Sequence, residues 1–212
     1  RAAAKHNLKL TDEGITRGYH FADAFFANQN SKSPVRLMNS VERLNFFSKY
    51  EQIILREAGC EVNVVEAKEI WKKVRAQNYD WKLFDDVPLA LRQLQNYGYK
   101  TAAITNMPYG GDEVKSNLGL DGLLEFIVTS SECKAEKPSP IIFQTALEKA
   151  GINAEMGLMV GDNVQSDLEG AELVGMRSVL IDRYGNLTSY ISHPRITTMK
   201  ELIPMLDKLN GS

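Results

Sequence analysis

The feature that most constrains this chain is an alternation of short apolar runs with amphipathic segments that begins after Trp81. The runs are residues 100–105 (Lys-Thr-Ala-Ala-Ile-Thr), 126–129, 157–160 and 178–181. Each has the length and apolar content of a buried strand. The segments between them have helix grammar. One opens at Asp86-Val87-Pro88, places Ala90, Leu91 and Leu94 on one face and ends at Gly98. Others lie around 112–117, from Ile141 to Ala150 before Gly151, and from Ser166 to Val174 before Gly175. Glycine just past the last apolar position is a common helix stop. Strand–helix–strand units at this spacing predict an α/β fold, a doubly wound parallel sheet with helices on both faces. In such sheets ligands bind beyond the carboxyl ends of the strands.

The first 80 residues lack that alternation. Leu37, Val41, Leu44, Phe47, Tyr50, Ile54 and Ala58 recur at steps of three and four, which predicts a helix of about six turns. Ala67, Ile70, Trp71 and Val74 repeat the pattern in a following helix. Thr11 before Asp12 and Glu13 predicts an N-cap with acids at the positive helix end, opening an earlier helix through about Ala27. The polar tract from Asn28 to Pro34 reads as a connection. The expected organisation is an all-helical part at 1–80 and an α/β core at 81–212.

Chemistry-bearing residues gather at the expected strand ends. Thr105 and Asn106 follow the first strand and precede Gly110-Gly111, a hydroxyl, an amide and a flexible loop that can hold anionic oxygens. A plain strand-to-loop turn uses the same residues. Lys137 stands before Pro138-Ser139-Pro140 at a helix start, either a fixed cation or a solvated lysine beside a proline turn. Gly161-Asp162 ends the third strand, and Asp167 lies five residues on. Two carboxylates bracketing that turn suit a magnesium ion, which takes one or two protein carboxylates and keeps several waters. Turn and capping roles are the alternative.

In this order, Thr105-Asn106, then Lys137-Pro138-Ser139-Pro140-Ile141-Ile142-Phe143, then Val160-Gly161-Asp162 through Asp167 with Gly170-Ala171 and Gly175-Met176, the chain resembles the haloacid dehalogenase superfamily, chiefly its phosphatases with a helical cap. The likeness runs from about Trp81 to Asp182. It implies a Rossmann-type core, with residues 1–80 as the cap. It implies catalytic and phosphate-binding roles for Thr105, Asn106 and Lys137. It implies a Mg2+ site at Asp162 and Asp167, with Asp167 supporting either the metal waters or Lys137. The implied reaction is hydrolysis of a small phosphorylated metabolite through an aspartyl-phosphate. The family's first motif, an apolar strand ending in Asp-x-Asp that supplies the nucleophile, is absent from these 212 residues. With Arg1 opening in what resembles the cap linker, the expectation is that this strand lies upstream and that the chain alone is inactive.

Other readings are weaker. Gly110-Gly111-Asp112-Glu113 spells a diguanylate cyclase signature without that family's flanking pattern. A receiver domain would leave the helical first third unexplained. Gly161-Asp162 favours phosphate chemistry over dehalogenation. A phosphomutase, or a catalytically silent interaction domain, stays open. His20, Arg36 and Lys49 read as ordinary surface groups. The net charge of -2 offers no global attraction for nucleic acid or an anionic membrane. No apolar stretch approaches the roughly 18 residues of a membrane span. Cys60 and Cys133 form neither a disulfide framework nor a metal-ligand spacing, so the cytoplasm is the expected compartment.

Overall fold

In the computed structural model, which describes residues 10–77, 81–188 and 190–210, the chain divides into two units, up to residue 80 and from residue 81. The first is helical: α1 (Asp12–Lys32), α2 (Ser40–Glu57) and α3 (Val64–Arg75). Thr11 accepts the Gly14 N–H at 3.0 Å, so the expected N-cap is in place. α1 does not stop near Ala27. It continues to Lys32, because the side chain of Asn30 turns inward and accepts the Val35 N–H at 2.9 Å. The polar tract is therefore mostly helix, and the connection shrinks to the segment around the short turn Val35–Leu37. α2 starts later than its apolar spacing suggests. Asn39 and Glu42 form a reciprocal capping box that sets the first turn at Ser40, and Leu37 and Val41 are exposed.

α1 and α2 approach closely because glycine lines the contact. A Cβ at Gly18 would lie 2.8 Å from Ile54 Cα, and one at Gly14 would lie 3.1 Å from Ala58 Cα. Rings fill the remaining space: Phe25 stacks on Phe46, Phe26 meets Phe46 edge-on, and Phe47 stacks on Trp71 of α3.

The second unit has the expected alternation. α4 (Val87–Asn96) precedes β1 (Ala102–Thr105), α5 (Gly111–Asn117), β2 (Phe126–Thr129), the one-turn α6 (Ser130–Cys133) and α7 (Pro140–Ala150). β3 (Leu158–Gly161) leads into a π-helical turn at Val164–Glu169, the short α8 (Gly170–Glu172) and β4 (Arg177–Ile181). β5 (Arg195–Ile196) and α9 (Leu202–Asn210) follow, neither of which the sequence pattern signalled. All pairings are parallel, β1 with β2 and β3 with β4 and then β5.

Side chains along each strand alternate between two apolar layers. Ile127, Val179, Ile181 and Ile196 pack with Leu91 and Leu94 of α4, Val114 of α5 and Leu202 and Leu206 of α9. Val128 packs on the other face with Ile142 and Phe143 of α7 and Ala171 of α8. β1 and β3 divide the same way: Ala103, Leu158 and Val160 join the first layer, Ile104 and Met159 the second. Helices thus cover both faces of the strands, as a doubly wound sheet requires. No helix among the described residues is long and apolar enough to cross a membrane.

Two polar features of this core give checkable outcomes. The Ser178 hydroxyl, at the buried start of β4, has no hydrogen-bond partner among the described residues. An orphaned buried hydroxyl is destabilising, so Ser178→Ala should raise stability by about 1 kcal/mol in denaturant unfolding. Asp86 accepts two hydrogen bonds from Arg183 Nη1, at 3.0 and 3.1 Å, and one from the Met199 N–H at 2.7 Å. Burial alone would raise its pKa, but the Arg183 hydrogen bond, the Met199 N–H and the Arg183 charge outweigh burial and hold it below the ordinary value of 3.8. The stability this carboxylate contributes is present above pH 3.8 and is lost as pH falls through the lower folded value. Asp86→Asn should therefore flatten the acid limb of a stability–pH profile.

Candidate active site

The carboxyl ends of β1 and β3 converge on one lysine. Lys137 lies in the loop between α6 and α7, where buried Ala135 anchors the chain and the Lys137–Pro138 peptide is cis. Asn106, just past β1, grips the Lys137 backbone from both sides. Its Oδ1 accepts the Lys137 N–H at 2.7 Å, and its Nδ2 donates to the Lys137 carbonyl at 3.2 Å. The Lys137 ammonium donates to Asp167 Oδ1 at 2.5 Å, with the two side chains 14% and 5% exposed. A lysine ammonium has three protons, so two remain to be directed at another anion.

The sequence after β3 builds the other half. Asn163 caps the π-helical turn by accepting the Ser166 N–H at 2.8 Å, and its own N–H donates to Asp167 Oδ2 at 3.1 Å. The π-helical turn carries Asp167 back beneath the end of β3, and Gly161 provides the room. A Cβ at position 161 would lie 2.5 Å from Asp167 Oδ2, too close for any other residue without displacing the carboxylate. Gly170 has a similar role, since its Cβ would fall 2.8 Å from the Phe143 ring and 3.1 Å from Pro138 Cα. The helix after Asp167 is thereby seated against the loop that holds Lys137.

The expected residues are thus distributed as follows. Asn106, Lys137 and Asp167 form one hydrogen-bonded chain. Thr105 ends β1, half-buried and in register with Thr129. Asp162 is exposed on the loop following β3. Two residues outside the sequence-based set shape the site. Glu132, in the capping box of α6, also accepts the Gly111 N–H at 2.9 Å and so pins the loop after β1. Asn163 orients Asp167. The Thr129-x-x-Glu132 spacing is a readable capping signal, but its reach to Gly111 is tertiary.

The donor set bears on a metal. Asp167 spends its oxygens on Lys137 and Asn163, which fits the supporting role toward Lys137. Among the described residues no group of three or more His, Cys, Asp or Glu is placed to hold a metal ion. One exposed carboxylate on an oxygen-rich loop does fit magnesium, which needs few protein ligands and prefers oxygen. Zinc, which favours nitrogen and sulfur ligands, finds no set of that kind among the described residues.

Removing one member of a buried ion pair strands the other charge. Asp167→Ala should cost about 3–5 kcal/mol in denaturant unfolding. Gly161→Ala should also destabilise, by pushing Asp167 off Lys137.

Comparison with known proteins bears on the family and the fold. Residues 21–181 match the family model described as haloacid dehalogenase-like hydrolase. The chain is 26% identical over 218 residues to the cattle (Bos taurus) haloacid dehalogenase-like hydrolase domain-containing protein 3, covering 99% of this chain and 86% of that protein. It is 33% identical over 134 residues to the glyceraldehyde 3-phosphate phosphatase of Pyrococcus furiosus, covering 58% of this chain and 53% of that enzyme. Matches to several other curated relatives likewise span about half of their lengths. Among solved structures, the putative HAD-hydrolase YfnB from Bacillus subtilis, bound to magnesium, superposes with a TM-score of 0.60 at 19% identity, over 97% of this chain and 87% of that one. On the extent of the family match and the shared fold, this chain belongs to the haloacid dehalogenase-like hydrolases.

Proposed function

We propose that this chain is the phosphate-recognition part of a magnesium-assisted hydrolase of small phosphate monoesters, with residues 1–80 acting as its cap. The observation that carries the reading is the Lys137 cation, fixed by Asn106 and Asp167 where β1 and β3 end. A preorganised cation is worth most where charge develops on phosphoryl oxygens. Thr105 would donate its hydroxyl to one such oxygen, and Lys137 would direct its two remaining protons at the phosphoryl group and the attacking carboxylate. Asn106 acts as a positioning residue, because both ends of its amide are spent on Lys137. Asp162 would hold the magnesium ion, which supplies charge neutralisation on the phosphoryl oxygens.

The attacking aspartate belongs, in this reading, to a strand outside these 212 residues that would lie between β1 and β3. An oxygen of that carboxylate bonds to phosphorus as the ester P–O bond breaks, and the leaving alkoxide takes a proton from the surrounding water to depart as the alcohol. Water then cleaves the aspartyl-phosphate to inorganic phosphate and free carboxylate. Two observations support the placement. β1 pairs with β2 and β3 with β4, yet β1 and β3 do not pair with each other among the described residues. Both contribute half-buried side chains to the same two apolar layers, while β2 and β4 are largely sealed. The phosphorylated-metabolite class is supported by the activity that the Pyrococcus relative's name carries. The cytoplasm fits the two cysteines. A silent interaction domain is the second reading, favoured by the lack of Asp-x-Asp.

The test compares the 212-residue chain with the same chain joined to whatever its gene encodes upstream, using an aryl phosphate and a panel of phosphate monoesters. Magnesium-dependent turnover is expected only in the longer protein. In that protein Lys137→Ala and Asp162→Asn should each lower activity at least about tenfold, or 1.4 kcal/mol of barrier. Lys134→Ala and Lys149→Ala should leave it unchanged. Turnover by the short chain alone would overturn the reading, and inactivity of both would favour the silent domain.

A further inference from the structure

α2 carries one buried acid that the proposed chemistry does not use. Glu51 is 7% exposed, and its carboxylate has neither a hydrogen bond nor an ion pair among the described residues. Its place follows from its neighbours. One turn before it, Phe47 touches Phe26 of α1 and stacks on Trp71 of α3. One turn after it, Leu55 packs with Ile70 of α3, and Ile54 abuts Gly18 of α1. Residues four apart share a helix face, so Glu51 sits on the seam where the three helices meet.

We propose that Glu51 is a proton-operated latch of the helical unit, holding the three helices together while it carries a proton and loosening them when it ionises. An acid at this seam is favoured in its neutral form, because at 7% exposure it has lost most of its water without gaining a partner. Other titratable groups do not relieve it. α1 brings Tyr19 and Asp23, and Asp23 accepts the Tyr50 hydroxyl at 2.5 Å. α3 brings Arg75, which lies over Trp71. None of these shifts the Glu51 carboxyl, which burial alone raises from 4.5 to about 7. Tyr50, pushed upward first by burial and then by Asp23, keeps its proton throughout this range.

The sign follows directly. The folded unit binds the proton more tightly than the unfolded chain, so the stabilisation is complete below pH 4.5 and is lost as pH rises to about 7. The latch is independent of catalysis and does not rest on the phosphatase reading.

The test is amide hydrogen exchange on the full chain from pH 5 to pH 8, corrected for intrinsic exchange rates. Protection in α1–α3 should fall by up to about tenfold per pH unit and level off near pH 8. In Glu51→Gln, which keeps the shape without the charge, protection should be flat over the same range. An equal slope in Glu51→Gln would overturn the proposal. A 13C titration of the assigned Glu51 carboxyl in the wild-type chain decides the matter without any variant. A midpoint near 7 supports the latch, and a midpoint in the ordinary glutamate range sinks it.

Discussion

The contact between Lys137 and Asp167 organises the second unit. A buried ammonium and a buried carboxylate are each costly alone, and together they are tolerable only in good geometry with further hydrogen bonds. Asn163 supplies one such bond to the carboxylate from the end of β3, while Asn106, from the end of β1, holds the backbone of the lysine in place. The loops after β1 and β3, which share no strand pairing, are thereby referred to one point. The glycines at 161 and 170 follow from the same requirement, because larger residues would push the carboxylate or its helix away from the lysine.

Much of this was legible in the sequence, for identifiable reasons. The four strands were marked by short apolar runs between helix stops, and their parallel order followed from the length of the connections. Gly161 and the spacing of Asp162 from Asp167 announced a carboxylate-bearing turn. The pattern could not tell which carboxylate turns inward. That depends on the π-helical turn, and its hydrogen-bond register leaves no mark in residue spacing. β5 is two residues long and has no periodicity to read. α1 outran its prediction because Asn30 trades exposure for a buried hydrogen bond to Val35. On α2 the predicted apolar stripe was rotated. It took in the exposed Leu37 and Val41 and left out Phe46, Glu51 and Leu55. A glutamate between a tyrosine and a glutamine reads as surface, and only the packing of three helices makes it interior.

The two units use different physics for their specificity. The helical one is held by rings and glycine-mediated backbone approach, which are largely insensitive to charge. Glu51, the one buried acid among its described residues, is the exception. The α/β unit places its polar investments at the strand ends, where Asp86, Glu132, Asp167 and Asp182 each accept backbone or cationic donors. Family membership accounts for the fold without fixing a substrate, because fold and chemistry reside in different residues.

The π-helical turn at Val164–Glu169 has a bearing on how this lineage can vary in length. Its Leu168 N–H reaches back to the Asn163 carbonyl, one residue further than an α-helix would. Deleting a single residue there would let the backbone relax into an ordinary α-helical register, at little cost to the helix itself. Every side chain downstream would then be re-phased by about 100°. Asp167 would swing out of reach of Lys137, or Leu168 would be turned out of the core in its place. Insertions and deletions should therefore be scarce between Gly161 and Gly170 among natural relatives, since the length of that turn decides whether Asp167 meets Lys137.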